Sequence, residues 1–110
     1  MNTRTARSQL MGGMIWGIST ALHEGTDIDR DTARYVNRDF QDYLVPVNAD
    51  INDLQVILVS EVDHDVNPAG VKGLGELGNV GTAAAVASAV YHATGKRVRD
   101  LPIRVDDLFA

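Results

Sequence analysis

Cysteine is absent from this 110-residue chain. Its absence excludes disulfides, thiolate zinc sites, iron–sulfur ligation by this chain and cysteine nucleophiles together. Aromatics are scarce as well, with one Trp, two Phe and three Tyr, so any core has to be aliphatic. Basic residues are outnumbered, ten Lys+Arg against fifteen Asp+Glu, which leaves a net charge of −5. An acidic chain without a basic stripe is a poor partner for nucleic acid or an anionic membrane. No apolar run approaches the roughly 18 residues of a membrane span. The run after Arg4 and Arg7 is broken by Gly12, Gly13, Gly17, Ser19 and Thr20, and so reads as a helix of the mature chain and not as a signal peptide. What is present is ordinary globular composition, 45% hydrophobic and 23% charged, expected to form a single domain over residues 1–110.

Hydrophobic spacing organises the chain. Ala6, Leu10, Met14, Ile18, Ala21 and Leu22 fall on one helical stripe, with Thr3 or Thr5 as the expected cap and Gly25 as the expected left-handed stop. Gly12, Gly13 and Gly17 inside this helix should cost about 1 kcal/mol each relative to alanine. Their presence predicts close approach by another backbone or a ligand. Thr26–Asp29 and Arg34–Asn37 can pair as a hairpin. Leu54–Ser60 (LQVILVS) has the β-branched composition of a strand. A glycine-rich loop over 61–81 precedes a second helix that starts at Asn79 or Thr82 and runs to Thr94, with Gly95 as its stop. The many alanines of that helix predict burial on several sides. Leu101-Pro102-Ile103 opens a last segment ending in a helical turn at Asp106–Phe109. The expected class is α+β, with two main helices flanking a small sheet.

The loop Gly70-Val71-Lys72-Gly73-Leu74-Gly75-Glu76-Leu77-Gly78 dominates the candidate chemistry. Gly73-x-Gly75-x-x-Gly78 formally matches a dinucleotide fingerprint. That fingerprint requires its first glycine to follow directly from a strand, and here the best strand ends near Ser60. A second reading places Glu76 at the tip of a glycine-rich approach, where backbone closes on a bulky cofactor and a lone carboxylate projects into the site. A third leaves Glu76 as a helix-start carboxylate that interacts with the macrodipole and does no chemistry. Glu61, Asp63, His64 and Asp65 cluster as a cation site would, and equally as a solvated acidic loop. His23 and His92 sit near helix ends, where carbonyls favour them, without a second metal ligand at a telling spacing. Trp16 reads as packing, and Arg97 and Arg99 as surface charges.

Lys72-Gly73-Leu74-Gly75-Glu76, the segment Ala85-Val86-Ala87-Ser88-Ala89-Val90-Tyr91-His92-Ala93-Thr94-Gly95-Lys96-Arg97 behind it and the closing Leu101-Pro102-Ile103 resemble the C-terminal part of the molybdenum hydroxylases. These are the large subunits of the xanthine dehydrogenase and aldehyde oxidoreductase family, with their molybdopterin-binding domain. Gln9-Leu10-Met11-Gly12-Gly13-Met14-Ile15-Trp16-Gly17-Ile18 with Ala21-Leu22-His23-Glu24 resembles the preceding helix of that family, and Tyr43-Leu44-Val45-Pro46 with Asp50 its middle. The similarity spans about Thr5 to Phe109. Leu77-Gly78 departs from the animal xanthine dehydrogenase form, where prolines often follow, and looks closer to bacterial aldehyde-type members.

The resemblance implies that Glu76 is the active-site base, that Gly73, Leu74 and Gly75 border the molybdopterin cofactor, and that Gln9 contacts its pterin side. No residue is assigned as a direct metal ligand. The implied reaction is general-base-assisted hydroxylation of a small molecule, an aldehyde or N-heterocycle, the carboxylate taking a proton from the attacking hydroxyl. It implies the remainder of the molybdenum subunit and iron–sulfur and flavin proteins as partners, in the cytoplasm unless the parent chain is exported. Family subunits are several times longer, so the chain is expected to be a fragment, and Met1, close to where the resemblance starts, suggests a truncated reading frame. Alone it is expected to be inactive, to hold no stoichiometric molybdenum and to form a homo-oligomer that covers an apolar patch. A non-catalytic globular or assembly module that keeps the loop as structure is the alternative.

Overall fold

The computed structural model describes residues 2–109. Helix α1 spans Thr3–Leu22. Its 20 residues extend over about 30 Å. It is capped by Asn2, whose side-chain oxygen accepts from the backbone N–H of Arg4 at 3.0 Å and of Thr5 at 3.3 Å. The expected caps Thr3 and Thr5 instead lie within the first turn, because Asn2 is one residue better placed to reach those orphan donors. At the other end His23 closes the helix with φ −124°, its N–H donating to Ser19 O. Gly25 does not adopt the left-handed conformation expected of it. Its lack of a side chain serves packing: a Cβ there would stand 3.3 Å from Pro102 Cγ.

The hairpin forms where expected. Strand β1 (Ile28–Asp29) pairs antiparallel with β2 (Arg34–Tyr35), Ile28 opposite Tyr35. Its turn is tied by Asp29, whose carboxylate accepts from Thr32 Oγ1 at 2.6 Å and from Asp31 N–H at 2.9 Å. The Thr32 hydroxyl bond, followed by the Asp31 N–H bond, holds the Asp29 carboxyl below its ordinary value of 3.8. A short 3-10 turn at Asn48–Asp50 follows. Leu54–Ser60 has no regular secondary structure and belongs to no sheet, contrary to expectation, because no strand among the described residues pairs with it.

Helix α2 (Thr82–Thr94) ends at Gly95, left-handed at φ 72° as its sequence requires. Helix α3 (Val105–Phe109) is the closing turn. The α+β class holds, but α1 and α2 pack on each other and do not sandwich the sheet. Helix α2 turns one half-buried stripe inward (Ala83, Val86, Ala87, Val90) and none of its residues is buried, so the burial on several sides expected from its alanines is not met. On α1 the inward stripe is Ala6, Leu10, Gly13, Met14, Gly17 and Ala21, while Leu22 stays 40% exposed. The segment 101–103 crosses the end of α1, the Ile103 N–H donating to Ala21 O at 2.7 Å.

Among the described residues only Ala6, Ala21 and Ile103 form the buried hydrophobic core. The radius of gyration is 17.8 Å. A compact chain of this length would have about 13 Å. Accessible surface is 8784 Å². A compact monomer of this mass exposes about 6,000 Å². No helix among the described residues is long and apolar enough to cross a membrane.

Candidate cofactor and base site

Backbone proximity builds the site. A Cβ on Gly13 would lie 3.0 Å from Asn79 N, and one on Gly17 would lie 2.5 Å from Thr82 Cβ. A Cβ on Gly78 would lie 2.5 Å from Leu10 O. These three glycines therefore let the loop and the start of α2 seat directly on the backbone of α1. Gly12 faces open space, so its expected close contact is not made among the described residues.

Seated there, the glycine loop winds through consecutive turns. Leu77 N–H donates to Leu74 O at 2.9 Å, and Asn79 N–H to Glu76 O at 2.8 Å. Thr82 Oγ1 returns to Gly78 O at 2.7 Å, tying the loop to the first turn of α2. From α1, the Gln9 side-chain amide donates to Gly75 O at 3.0 Å across 66 residues of sequence. Gln9, Gly75 and, next along the chain, Glu76 are thus brought to one place. Glu76 is exposed, and its carboxylate has no hydrogen bond or ion pair among the described residues.

The same loop offers unused donors. The backbone N–H groups of Gly73, Leu74, Gly75 and Glu76 donate to nothing among the described residues. A Cβ on Gly73 or Gly75 would meet no atom within 4 Å. Successive free N–H groups on a glycine turn suit the anionic oxygens of a bulky ligand that approaches to backbone distance.

Residues 1–52 match the family model described as molybdopterin cofactor-binding domain. The aldehyde oxidoreductase molybdenum-binding subunit PaoC of Escherichia coli is 47% identical over 108 residues, covering 98% of this chain and 15% of that subunit. The putative xanthine dehydrogenase molybdenum-binding subunit XdhA of the same organism is 34% identical over 99% of this chain and 14% of its own length. The chain belongs to the molybdenum-binding subunits of the xanthine and aldehyde oxidoreductase family. A third member, the gamma subunit of the 6-hydroxypseudooxynicotine dehydrogenase complex of Paenarthrobacter nicotinovorans, is 31% identical over the whole chain and 14% of its own length. The chain spans about one seventh of the length of these curated relatives.

Within this family member the other candidate residues part from the site. Lys72 leaves the glycine motif and places its Nζ 3.0 Å from Glu61 and 3.5 Å from Asp63. Asp63 also accepts from the N–H groups of Asp65 and Val66. His64 Nδ1 lies 3.3 Å from Pro68 O. The acidic cluster is thus a tied loop, and no group of three metal-binding side chains occurs among the described residues. Trp16 is 49% exposed and not a packing residue of this chain. Arg97 is exposed, as a surface charge would be, and it stacks on Tyr91, 3.8 Å from the ring centroid. Thr82 was legible only as a helix start. Its place four residues after Gly78 is the signal for the back-bond that anchors the loop.

Proposed function

We propose that this chain supplies the general base and part of the molybdopterin site for hydroxylation of an aldehyde or N-heterocycle. The observation that carries the reading is the Gln9 amide bonded to Gly75 O, which holds the residue next to Glu76 against α1. Gly73, Leu74 and Gly75 border the cofactor and present their free N–H groups to it, and Gln9 lies on its pterin side with its side-chain oxygen Oε1 unpartnered among the described residues. When bound, molybdopterin supplies the molybdenum that takes up the two electrons of the substrate's oxidation.

The chain's own contribution is acid–base and positional. The Glu76 backbone is fixed by the bond from Asn79 N–H to its carbonyl, so the carboxylate projects from a constrained turn. Nothing in the described chain competes for that carboxylate. It accepts the proton released as oxygen adds to the substrate carbon, a role typically worth about 10²–10⁴-fold in rate. The remaining cofactor contacts and the substrate pocket come from the rest of the molybdenum subunit, with iron–sulfur and flavin partners carrying electrons away. Alone, the chain is a homo-oligomer without stoichiometric molybdenum. Its surface exceeds that of a compact monomer by roughly 2,800 Å² per chain, so a dimer needs to cover only part of that excess to bury the total area of an obligate interface.

The test is Glu76→Gln beside Glu61→Gln in the complete subunit. Turnover of the first should fall at least ~10²-fold with cofactor content intact, while the second, whose charge lies in the Lys72 loop, stays near parental. Equal, near-parental turnover in both would leave Glu76 as a structural carboxylate.

A further inference from the structure

Helix α2 starts without a side-chain cap, because Gly81 stands at its N-cap. The hydroxyl one residue on, Thr82 Oγ1, donates backward to Gly78 O at 2.7 Å. The Thr82 N–H also points back, donating to Asn79 O at 3.1 Å. Asn79 and Val80 in turn donate their N–H groups to Glu76 O, at 2.8 and 3.3 Å. Thr82 therefore closes the turn that holds the Glu76 carbonyl. Its other side abuts α1, where a Cβ on Gly17 would lie 3.0 Å from Thr82 Cγ2. We propose that Thr82 is the positioning residue of Glu76, its hydroxyl fixing the turn from which the carboxylate projects. The inference rests on the assignment of Glu76 as the base.

Backbone alone sets where this carboxylate stands, since the exposed Glu76 side chain has no hydrogen bond or ion pair among the described residues. On the near side of Glu76 the turn is tied to α1 by Gln9, bonded to Gly75 O at 3.0 Å. On the far side stands Gly78, so close to α1 that a Cβ would lie 2.5 Å from Leu10 O. Gly78 has no side chain with which to fix itself there, and the Thr82 hydroxyl supplies that second tie. Loss of one neutral hydrogen bond shifts a local opening equilibrium about 2–10-fold. A reacting group displaced by about 1 Å can lose up to about 10²-fold in rate. Thr94 provides the matched comparison. Its Oγ1 makes the same backward bond, to Val90 O at 2.7 Å, at the opposite end of α2.

Thr82→Val keeps the packing against Gly17 and removes the hydroxyl, Thr82→Ser keeps the hydroxyl, and Thr94→Val removes the matched bond elsewhere. In the 110-residue chain, the amides of Leu77, Asn79 and Val80 should exchange about 2–10-fold faster in Thr82→Val and at the parental rate in the other two. In the complete, cofactor-loaded subunit, Thr82→Val should lower kcat about 10-fold with KM and molybdenum content near parental. Thr82→Ser and Thr94→Val should stay near parent. Added to Glu76→Gln, Thr82→Val should cost nothing further, because the hydroxyl acts only through that carboxylate. Unchanged exchange, or parental kcat in Thr82→Val while Glu76→Gln is slow, overturns this inference and leaves the base assignment standing. Parental turnover in Glu76→Gln removes both. A loss in Thr82→Ser but not in Thr82→Val makes the residue a packing contact, and loss of molybdenum from Thr82→Val makes it a cofactor-retention residue. Either result overturns the positional role, as does a loss that adds to that of Glu76→Gln.

Discussion

Gly12 and Gly17 lie five residues apart on α1, and the same substitution should act on them with opposite sign. A Cβ on Gly12 meets nothing within 4 Å, so Gly12→Ala removes only the helix penalty of glycine and stabilises by about 1 kcal/mol. A Cβ on Gly17 would stand 2.5 Å from Thr82 Cβ and 3.0 Å from Thr82 Cγ2, well inside van der Waals contact. Thr82 has little freedom to give, because its hydroxyl is bound to Gly78 O at 2.7 Å. Overpacking of this kind costs about 1–3 kcal/mol, against the same gain of about 1 kcal/mol. Gly17→Ala should therefore be neutral at best and destabilising by up to about 2 kcal/mol. Urea titration followed by helical circular dichroism reads the difference, at one fixed chain concentration because association shifts the midpoint. Combining Gly17→Ala with Thr82→Gly should recover part of the loss as a coupling term. Equal midpoint shifts for Gly12→Ala and Gly17→Ala would refute the claim that the Thr82 side chain at the start of α2 seats directly on the α1 backbone at Gly17.

Gln9→Ala removes the bond to Gly75 O and should lower both cofactor retention and turnover in the complete subunit, which molybdenum analysis and steady-state rates separate. Thr32→Val removes the strongest cause of the lowered Asp29 pKa, so a carboxyl-carbon NMR titration should show it move up towards 3.8. Because the folded value is the depressed one, the turn's contribution is present above 3.8 and is lost as pH falls through the folded pKa. Light scattering on the isolated chain should give a homo-oligomer, and elemental analysis no stoichiometric molybdenum. A clean monomer at high concentration, or one molybdenum per chain, contradicts these two expectations.

The parts of the fold that were legible in sequence are those whose causes are local. The stripe Ala6–Leu10–Met14 marks α1 through helical spacing, and Gly95 ends α2 because only the left-handed region lets the chain leave there. The misread helix ends are also local: Asn2 outcompetes two threonines as a cap, and Gly25 is small for the sake of Pro102. Leu54–Ser60 has the composition of a strand, but composition does not supply a neighbour to pair with, and among the described residues the segment joins no sheet. The site divides the same way. The glycines before Glu76 advertise a close backbone approach, but nothing in spacing connects Gln9 to Gly75 across 66 residues. The family resemblance assigns both residues to one cofactor but does not pair them with each other.

The central claim is that Glu76 takes a proton during the chemical step, and a single turnover isolates that step from product release. Cofactor-loaded Glu76→Gln subunit, mixed anaerobically with excess aldehyde, should be reduced at least ~10²-fold more slowly than parent, with the substrate concentration for half-maximal rate little changed. Reduction at the parental rate, with molybdenum content equal to parent, would contradict the account.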